Sequence, residues 1–183
     1  MTYFDELTAA MNLLAADERS LFVGQGVRWP NNAQFRTLTG VPEEKRIELP
    51  VIEDFQAGYC LGLALEGYLP ICIYPRFDFM ILACNQIVNH IDKLPFTSFG
   101  QPPAHNLSIA PPRVIIRCGV GAKYPLDSGK QHTNDYSAAF RLMCKTIEVI
   151  ELNSKFDVMK GYQHALQSHR SCIVVERQDL FNE

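Results

Sequence analysis

Apolar residues recur at helical spacing from Phe4 to Ala15, where Leu7, Ala10, Met11 and Leu14 share one face, and a short apolar run from Ser20 to Val23 follows and stops at Gly24. A period near 3.6 predicts an amphipathic helix, and the short run predicts a strand. The alternation repeats along the chain. Arg46 to Leu49 reads as a strand, Ile52 to Glu66 as a buried helix stopped by Gly67, Leu69 to Ile73 as a strand, and Asp78 to Lys93 as a second long helix. Val114 to Arg117, Thr146 to Leu152 and Ser171 to Glu176 read as further strands, with helices around Tyr136 to Cys144 and over Lys155 to Ser168. Strands alternating with helices imply right-handed crossovers and a sheet covered on both faces. The predicted class is α/β, a three-layer αβα sandwich around a mostly parallel sheet, in a single domain over residues 1–183.

Two long stretches break the pattern. Gly26 to Lys45, rich in Asn, Pro, Gly and charge, predicts a long surface loop, partly disordered without a partner; Pro95 to Pro112, with Gly100, Pro102, Pro103 and Pro111, predicts a second. Within the helix from Ile52, Gly58 and Gly62 lie on one face. Small residues there admit a neighbouring backbone, either a helix across a subunit interface or the local sheet. His90 is expected to cap helix packing.

Composition narrows the functional classes. A hydrophobic share of 47% over 183 residues is that of a folded domain, and a net charge of -3 with no run of Lys or Arg argues against a nucleic-acid partner. The early acids Asp5 and Glu6 are unlike a secretory signal and no stretch is long enough to span a bilayer, so the expectation is a cytoplasmic protein with no membrane partner. The six cysteines are scattered without a Cys-x-x-Cys pair, which predicts buried free thiols rather than a zinc site.

The residues able to carry chemistry follow strands: Glu53 after Arg46 to Leu49, Tyr74 to Phe79 after Leu69 to Ile73, and His132 after Val114 to Arg117. In a doubly wound sheet such exits share one rim, where ligands bind. The run Pro50-Val51-Ile52-Glu53, the glycines Gly58, Gly62 and Gly67, the stretch Pro70 to Phe79, the helix Asn85-Gln86-Ile87-Val88-Asn89 with Lys93, and Arg117, Gly121 and Gln131-His132-Thr133 together resemble a known pattern. It is that of the pyrimidine-binding region of thiamine diphosphate enzymes, especially the beta-subunit of pyruvate dehydrogenase-like complexes.

This resemblance implies the thiamine diphosphate-binding fold of pyrimidine-binding type. Glu53 matches the glutamate that hydrogen-bonds the aminopyrimidine nitrogen and favours the imino tautomer, which removes the thiazolium proton. Tyr74, Phe77 and Phe79 lie where the family places the walls of the flat heterocycle, with Phe77 the first choice for the stack and at least one of the three expected to pack inward. His132 matches a histidine facing the thiazolium and substrate, and Gln131 joins the cofactor-binding set. The implied cofactors are thiamine diphosphate and Mg2+, the metal held mainly by another chain, since no Gly-Asp-Gly motif occurs here. The implied partner is a separately encoded diphosphate-binding subunit in a heterotetramer, with a homodimer of this chain as the other assembly. The reaction implied is decarboxylation or cleavage of a 2-oxo acid or ketose with transfer of the acyl or ketol unit.

The competing reading is a non-catalytic scaffold or regulatory relative that keeps the fold and dimer surface without binding cofactor. A flavodoxin-like binder would need a phosphate loop at the first strand exit, and Gly24-Gln25-Gly26-Val27 is too short for one. Three departures from the family pattern stand out. Phe55 replaces a glycine just after Glu53, Gln25 replaces a glutamate, and Asn85 replaces an aspartate.

Overall fold

A computed structural model describes residues 1–30, 33–97, 111–121 and 127–181. Strands β1 (Ser20–Gly24), β2 (Arg46–Glu48), β3 (Leu69–Tyr74), β4 (Ile115–Val120), β5 (Glu148–Leu152) and β6 (Cys172–Arg177) form one sheet in the order β2-β1-β3-β4-β6-β5. Every neighbouring pair is parallel. The two central strands β3 and β4 are buried at every position, as a sheet covered on both faces requires.

Alternate residues of these strands feed two cores. Ile71, Ile73, Ile115 and Val174 face α1 (Tyr3–Ala15) and α6 (Lys155–Gln167). Cys72, Tyr74, Ile116, Cys118 and Val175 face α3 (Glu53–Leu65) and α5 (Ser137–Met143). The three layers expected from the alternating pattern are therefore present. α1 opens on a capping box, with the Asp5 amide donating to Thr2 Oγ1 at 3.1 Å and the Thr2 amide to Asp5 Oδ2 at 2.8 Å.

The stretch from Gly26 to Lys45 differs from its expectation. Its described residues contain α2 (Ala33–Arg36) and a 3-10 turn at Glu43–Lys45, and Val27, Leu38 and Val41 are buried in the core shared with α1 and α6. Polar anchors explain why so hydrophilic a segment is held down. Lys45 Nζ donates to the Ala15 and Asp17 carbonyls at 2.8 and 2.6 Å, placing a cation at the C-terminal end of α1. The Arg46 guanidinium donates to the Leu38 and Val41 carbonyls.

Beneath the same segment lies a fully buried ion pair. Arg117 Nε and Nη2 meet Glu176 Oε1 and Oε2 at 2.6 and 3.0 Å. Arg117 also donates to Thr37 Oγ1 at 2.8 Å, and Glu176 accepts from the Tyr162 hydroxyl at 2.5 Å and Gln34 Nε2 at 3.3 Å. Burial works against the Arg117 charge, and Glu176 and Tyr162 together more than offset it, so the guanidinium's pKa is raised. Gln34 and Thr37 belong to the segment, so the network fastens it to β4 and β6.

The helix predicted over Asp78 to Lys93 is broken. It comprises α4 (Phe77–Met80), a 3-10 turn at Ile81–Ala83 and a π-helical stretch over Gln86–Ile91. The Asp92 amide reaches back five residues to the Ile87 carbonyl at 2.8 Å, the signature of a widened turn. The buried Asp92 carboxylate accepts the amides of Lys145, Thr146 and Ile147 at 2.8, 2.7 and 3.1 Å and pairs with Lys93 at 2.8 Å. A tertiary bond thus sets the end of this segment, against the straight helix its periodicity suggests. His90 is exposed and caps no packing.

Gly58 faces the Gln86 side chain, whereas the position of a Cβ on Gly62 would be open. All six cysteines are free, and only Cys84 is not fully buried. Most of the loop expected from Pro95 to Pro112, and part of the loop before Gly129, lie outside the described residues. Among the described residues no helix is long and apolar enough to cross a membrane.

Candidate functional site

The strand order creates a crevice. The connection from β1 leads to β2 on one side, and the next, through α3, returns past β1 to β3 on the other. In open α/β sheets ligands bind outside the carboxyl ends of strands at such a reversal. Gln25 follows β1, Glu53 opens α3 after β2, and Tyr74 closes β3, so all three meet there.

Glu53 is 8% exposed. Its Oε1 accepts a long hydrogen bond from Gln25 Nε2 at 3.4 Å, and its main-chain carbonyl accepts the Tyr74 hydroxyl at 2.9 Å. Tyr74 is therefore an anchor for the start of α3 rather than a wall of the crevice, since its ring is 1% exposed and its hydroxyl is engaged. Burial pushes its phenol pKa far up, which keeps it a proton donor.

Glu48, which the sequence pattern did not single out, holds the β1 exit in shape. Its carboxylate accepts three consecutive amides, Gly26 at 2.5 Å and Val27 and Arg28 at 2.8 Å each. Gly26 sits at φ 66°, a turn that glycine makes without strain. This clasp sets the backbone beside Gln25, the residue that reaches Glu53.

The aromatic turn after β3 divides in two. Phe77 is 0% exposed and packs against Tyr136 and Phe140, with ring centroids 5.8 and 5.5 Å away. The preference for Phe77 as the stacking ring is thus corrected, because a side chain sealed in the core has no face to offer. Phe79 is half-buried, and its ring meets the His132 imidazole at 5.4 Å and an interplanar angle of 88°. His132 Nδ1 is buried and has no hydrogen-bond partner. Between these rings, Asp78 accepts the Asn134 amide at 3.2 Å, the Asn134 side-chain amide, and the Tyr136 hydroxyl at 3.4 Å. Asp78, Asn134 and Tyr136 escaped the sequence reading. The signal available was Asp78's place inside the matched turn.

Gln131 is exposed on the segment that carries His132. Of the residues departing from the family pattern, Phe55 is 50% exposed and packs its ring against Tyr59 at 5.9 Å, and Asn85 is exposed and accepts from Asn89 at 3.0 Å. Gln86 donates to Asp54 at 3.3 Å, tying the π-helical stretch to the first turn of α3.

These features fit a flat, polar heteroaromatic ring. A buried carboxylate stands at the crevice, a half-buried aromatic ring lies on the next strand exit, and a buried imidazole nitrogen has an unmet hydrogen-bonding capacity. Among the described residues no group of His, Cys, Asp and Glu could hold a metal ion.

Comparison with known proteins gives a consistent neighbourhood. The mitochondrial beta-subunit of the pyruvate dehydrogenase E1 component from Caenorhabditis elegans is 26% identical over 188 aligned residues, covering 100% of this chain and 50% of the relative. The human mitochondrial beta-subunit is 23% identical over 172 residues, covering 92% of this chain and 45% of that protein. A solved split-gene transketolase, described as an inactive beta4 tetramer, superimposes with a TM-score of 0.69 over 97% of this chain and 52% of that one, at 12% identity. The chain has a transketolase-like α/β fold. The transketolase of Campylobacter jejuni shares the fold at a TM-score of 0.67 and 15% identity, over 96% of this chain and 25% of that one. This transketolase-like chain thus spans about half the length of the curated relatives it matches. No family model matches it.

Proposed function

We propose that this chain is the pyrimidine-binding half of a split thiamine diphosphate-dependent enzyme. In this reading it forms one domain, and a separately encoded chain binds the diphosphate and its Mg2+. The observation that carries it is Glu53, a buried carboxylate at the crevice between β1 and β3, on a chain similar along its whole length to E1 beta-subunits. Glu53 would hold the aminopyrimidine ring nitrogen, Phe79 would cover a face of the ring, and His132 with Gln131 would face the substrate. Bound thiamine diphosphate supplies a carbon nucleophile for attack on the carbonyl of a 2-oxo acid or ketose.

The chain's own residues prepare that chemistry. Tyr74 and Gln25 fix the position of Glu53, a residue only 8% exposed, and in so dry a setting a hydrogen bond to a ring nitrogen is stronger than in water. His132 brings an imidazole to the rim, a side chain suited to general acid–base catalysis. The exposed apolar residues Val51, Ile52 and Phe55 at the start of α3, with Ile81 and Leu82 beside it, offer a surface for assembly into a heterotetramer, or into a homodimer of this chain. The resemblance to beta-subunits favours 2-oxo acids over ketoses. A cytoplasmic location belongs to the same reading, although the named E1 relatives are mitochondrial.

The test is reconstitution with the chain encoded beside it, in thiamine diphosphate and Mg2+. Deuterium exchange at the thiazolium C2 position, followed by NMR, should accelerate in the mixture. A Glu53→Gln variant should remain folded and exchange at least about a hundredfold more slowly than wild type. Equal exchange by wild type and variant, with both chains folded and associated, would overturn the reading.

A further inference from the structure

Three consecutive residues of α4 meet three residues of the His132 segment in antiparallel order. Phe79 touches His132, Asp78 accepts from Asn134, and Phe77 packs on Tyr136. The outer two contacts are between rings. The middle one is a carboxylate that gathers the Asn134 main-chain amide, the Asn134 side-chain amide and the Tyr136 hydroxyl. We propose that Asp78 is a positioning residue: its carboxylate suspends the Gly129–Tyr136 segment from the aromatic turn and so fixes His132 against Phe79 at the mouth of the crevice.

The argument is one of alternatives. Besides Asp78, the segment is tied to the fold by Asp135, which pairs with Arg177 of β6 at 3.0 Å but lies three residues past His132; its remaining hydrogen bonds are mostly local. The His132 amide and the Thr133 hydroxyl donate to the Gly129 carbonyl at 3.0 and 3.3 Å, and Asn134 Nδ2 also donates to the Lys130 carbonyl. Such bonds shape a turn without attaching it to the sheet. Gln131 is exposed and His132 and Thr133 are only half-buried, so core burial does not anchor them either. Tyr136 is attached through Phe77, but it lies beyond Asn134 and leaves the turn at His132 free to swing. Hydrogen bonds to a carboxylate are the stronger kind, and Asp78 accepts three donors, two of them from Asn134, only two residues from His132.

The carboxylate is matched to this work in a way that a neutral side chain is not. All three groups facing it are donors, so an acceptor-only side chain satisfies each of them without a repulsive pair. An amide at position 78 could accept through one oxygen only. His132 itself donates nothing to Asp78; the imidazole is placed by its neighbours, which leaves Nδ1 unpartnered for a ligand. The importance of His132 to turnover rests on the proposed function, whereas the clamp is a property of this chain alone.

The test therefore has a structural arm and a catalytic arm. In the isolated full-length chain, the NMR cross-peak between the ring protons of Phe79 and His132 should be lost in Asp78→Ala, and amide exchange at Asn134 should quicken about tenfold while α3 and the central strands keep their protection. Asp78→Asn should restore part of the cross-peak. A persisting cross-peak with unchanged exchange in Asp78→Ala would overturn the proposal. If Asp78→Ala does not fold, Asn134→Ala decides, since it removes the side-chain donor and leaves Asp78 in place: loss of the cross-peak supports the clamp, and its persistence overturns it. In the reconstituted enzyme, Asp78→Ala should lower kcat about as much as His132→Ala, and the double variant should lower it no further. Full turnover by His132→Ala would sink the catalytic role of His132, and the structural arm would still decide the clamp.

Discussion

Phe79 and His132 meet edge to face on the rim of the sheet, centroids 5.4 Å apart and rings at 88°. Neither ring belongs to either core, and both are half-buried. A pairing of this kind contributes little to folding, about 0.5–1.5 kcal/mol beyond area for aromatic pairs. What it does is join the exit of β3 to the segment that follows β4, across the place where the crevice opens.

Phe77 and Phe79 should separate stability from binding. Phe77→Ala empties a core position filled by Tyr136 and Phe140 contacts and should cost about 3–5 kcal/mol in urea unfolding. Phe79→Ala should cost about 1 kcal/mol or less, yet weaken thiamine diphosphate binding in the assembled enzyme, as read by calorimetric titration. Equal destabilisation by the two changes would contradict the division drawn between them.

The Arg117 and Glu176 pair should be sensitive to loss of one member. Arg117→Met leaves the Glu176 carboxylate buried without its cation and should destabilise the chain by about 3–5 kcal/mol. Glu176→Gln strands the guanidinium and should be comparably damaging. In both variants the Gly26 to Lys45 segment should become more sensitive to protease, because Thr37 loses its Arg117 donor in the first and Gln34 its carboxylate acceptor in the second. A thermal midpoint within a degree of wild type would show that the network is not what fastens the segment.

Asp92 gives a pH signature. Burial raises the pKa of its carboxyl, but Lys93 and the amides of Lys145, Thr146 and Ile147 outweigh that and bring it down from 3.8 to about 2. A depressed folded-state pKa contributes stability that is fully present above the unfolded value and is lost as pH falls through the folded one. Asp92 should thus add about 2 kcal/mol above pH 4 and lose it between about pH 4 and pH 2. In Asp92→Asn this part of the acid dependence should vanish from urea midpoints measured across that range, and an unchanged slope would refute the assignment.

The start of α3 should report on assembly. Leu82 is 63% exposed and Phe55 50%, on elements that pack together. Phe55→Glu combined with Leu82→Glu should leave the fold intact by circular dichroism and shift the native mass toward the monomer. An unchanged mass distribution would remove this surface from the proposed interface.

Much of the architecture was legible from the sequence because it rests on local pattern. The apolar runs from Leu69 and Val114 could only be buried strands, and the spacing of Leu7, Ala10, Met11 and Leu14 could only be one face of a helix. The position of Glu53 was legible for a related reason: a carboxylate at a strand exit is a local fact once the alternation of strands and helices is read. The Gly26 to Lys45 segment was misjudged because its polar side chains bond to distant groups, the Ala15 and Asp17 carbonyls, Arg117 and Glu176, that a window along the chain does not see. The π-helical stretch eluded periodicity for the same reason, since Asp92 is fixed by amides of residues 145–147.

Order and type of most elements, and the chemical groups available at each strand exit, were determined by the sequence itself, through periodicity and the side chains it places after each strand. Which aromatic of the turn faces inward, which carboxylate holds the His132 segment, and how Gln25, Glu53 and Tyr74 converge were decided only by tertiary structure. Those outcomes depend on contacts between residues far apart in the chain, and such contacts are set by how the layers pack rather than by any local preference.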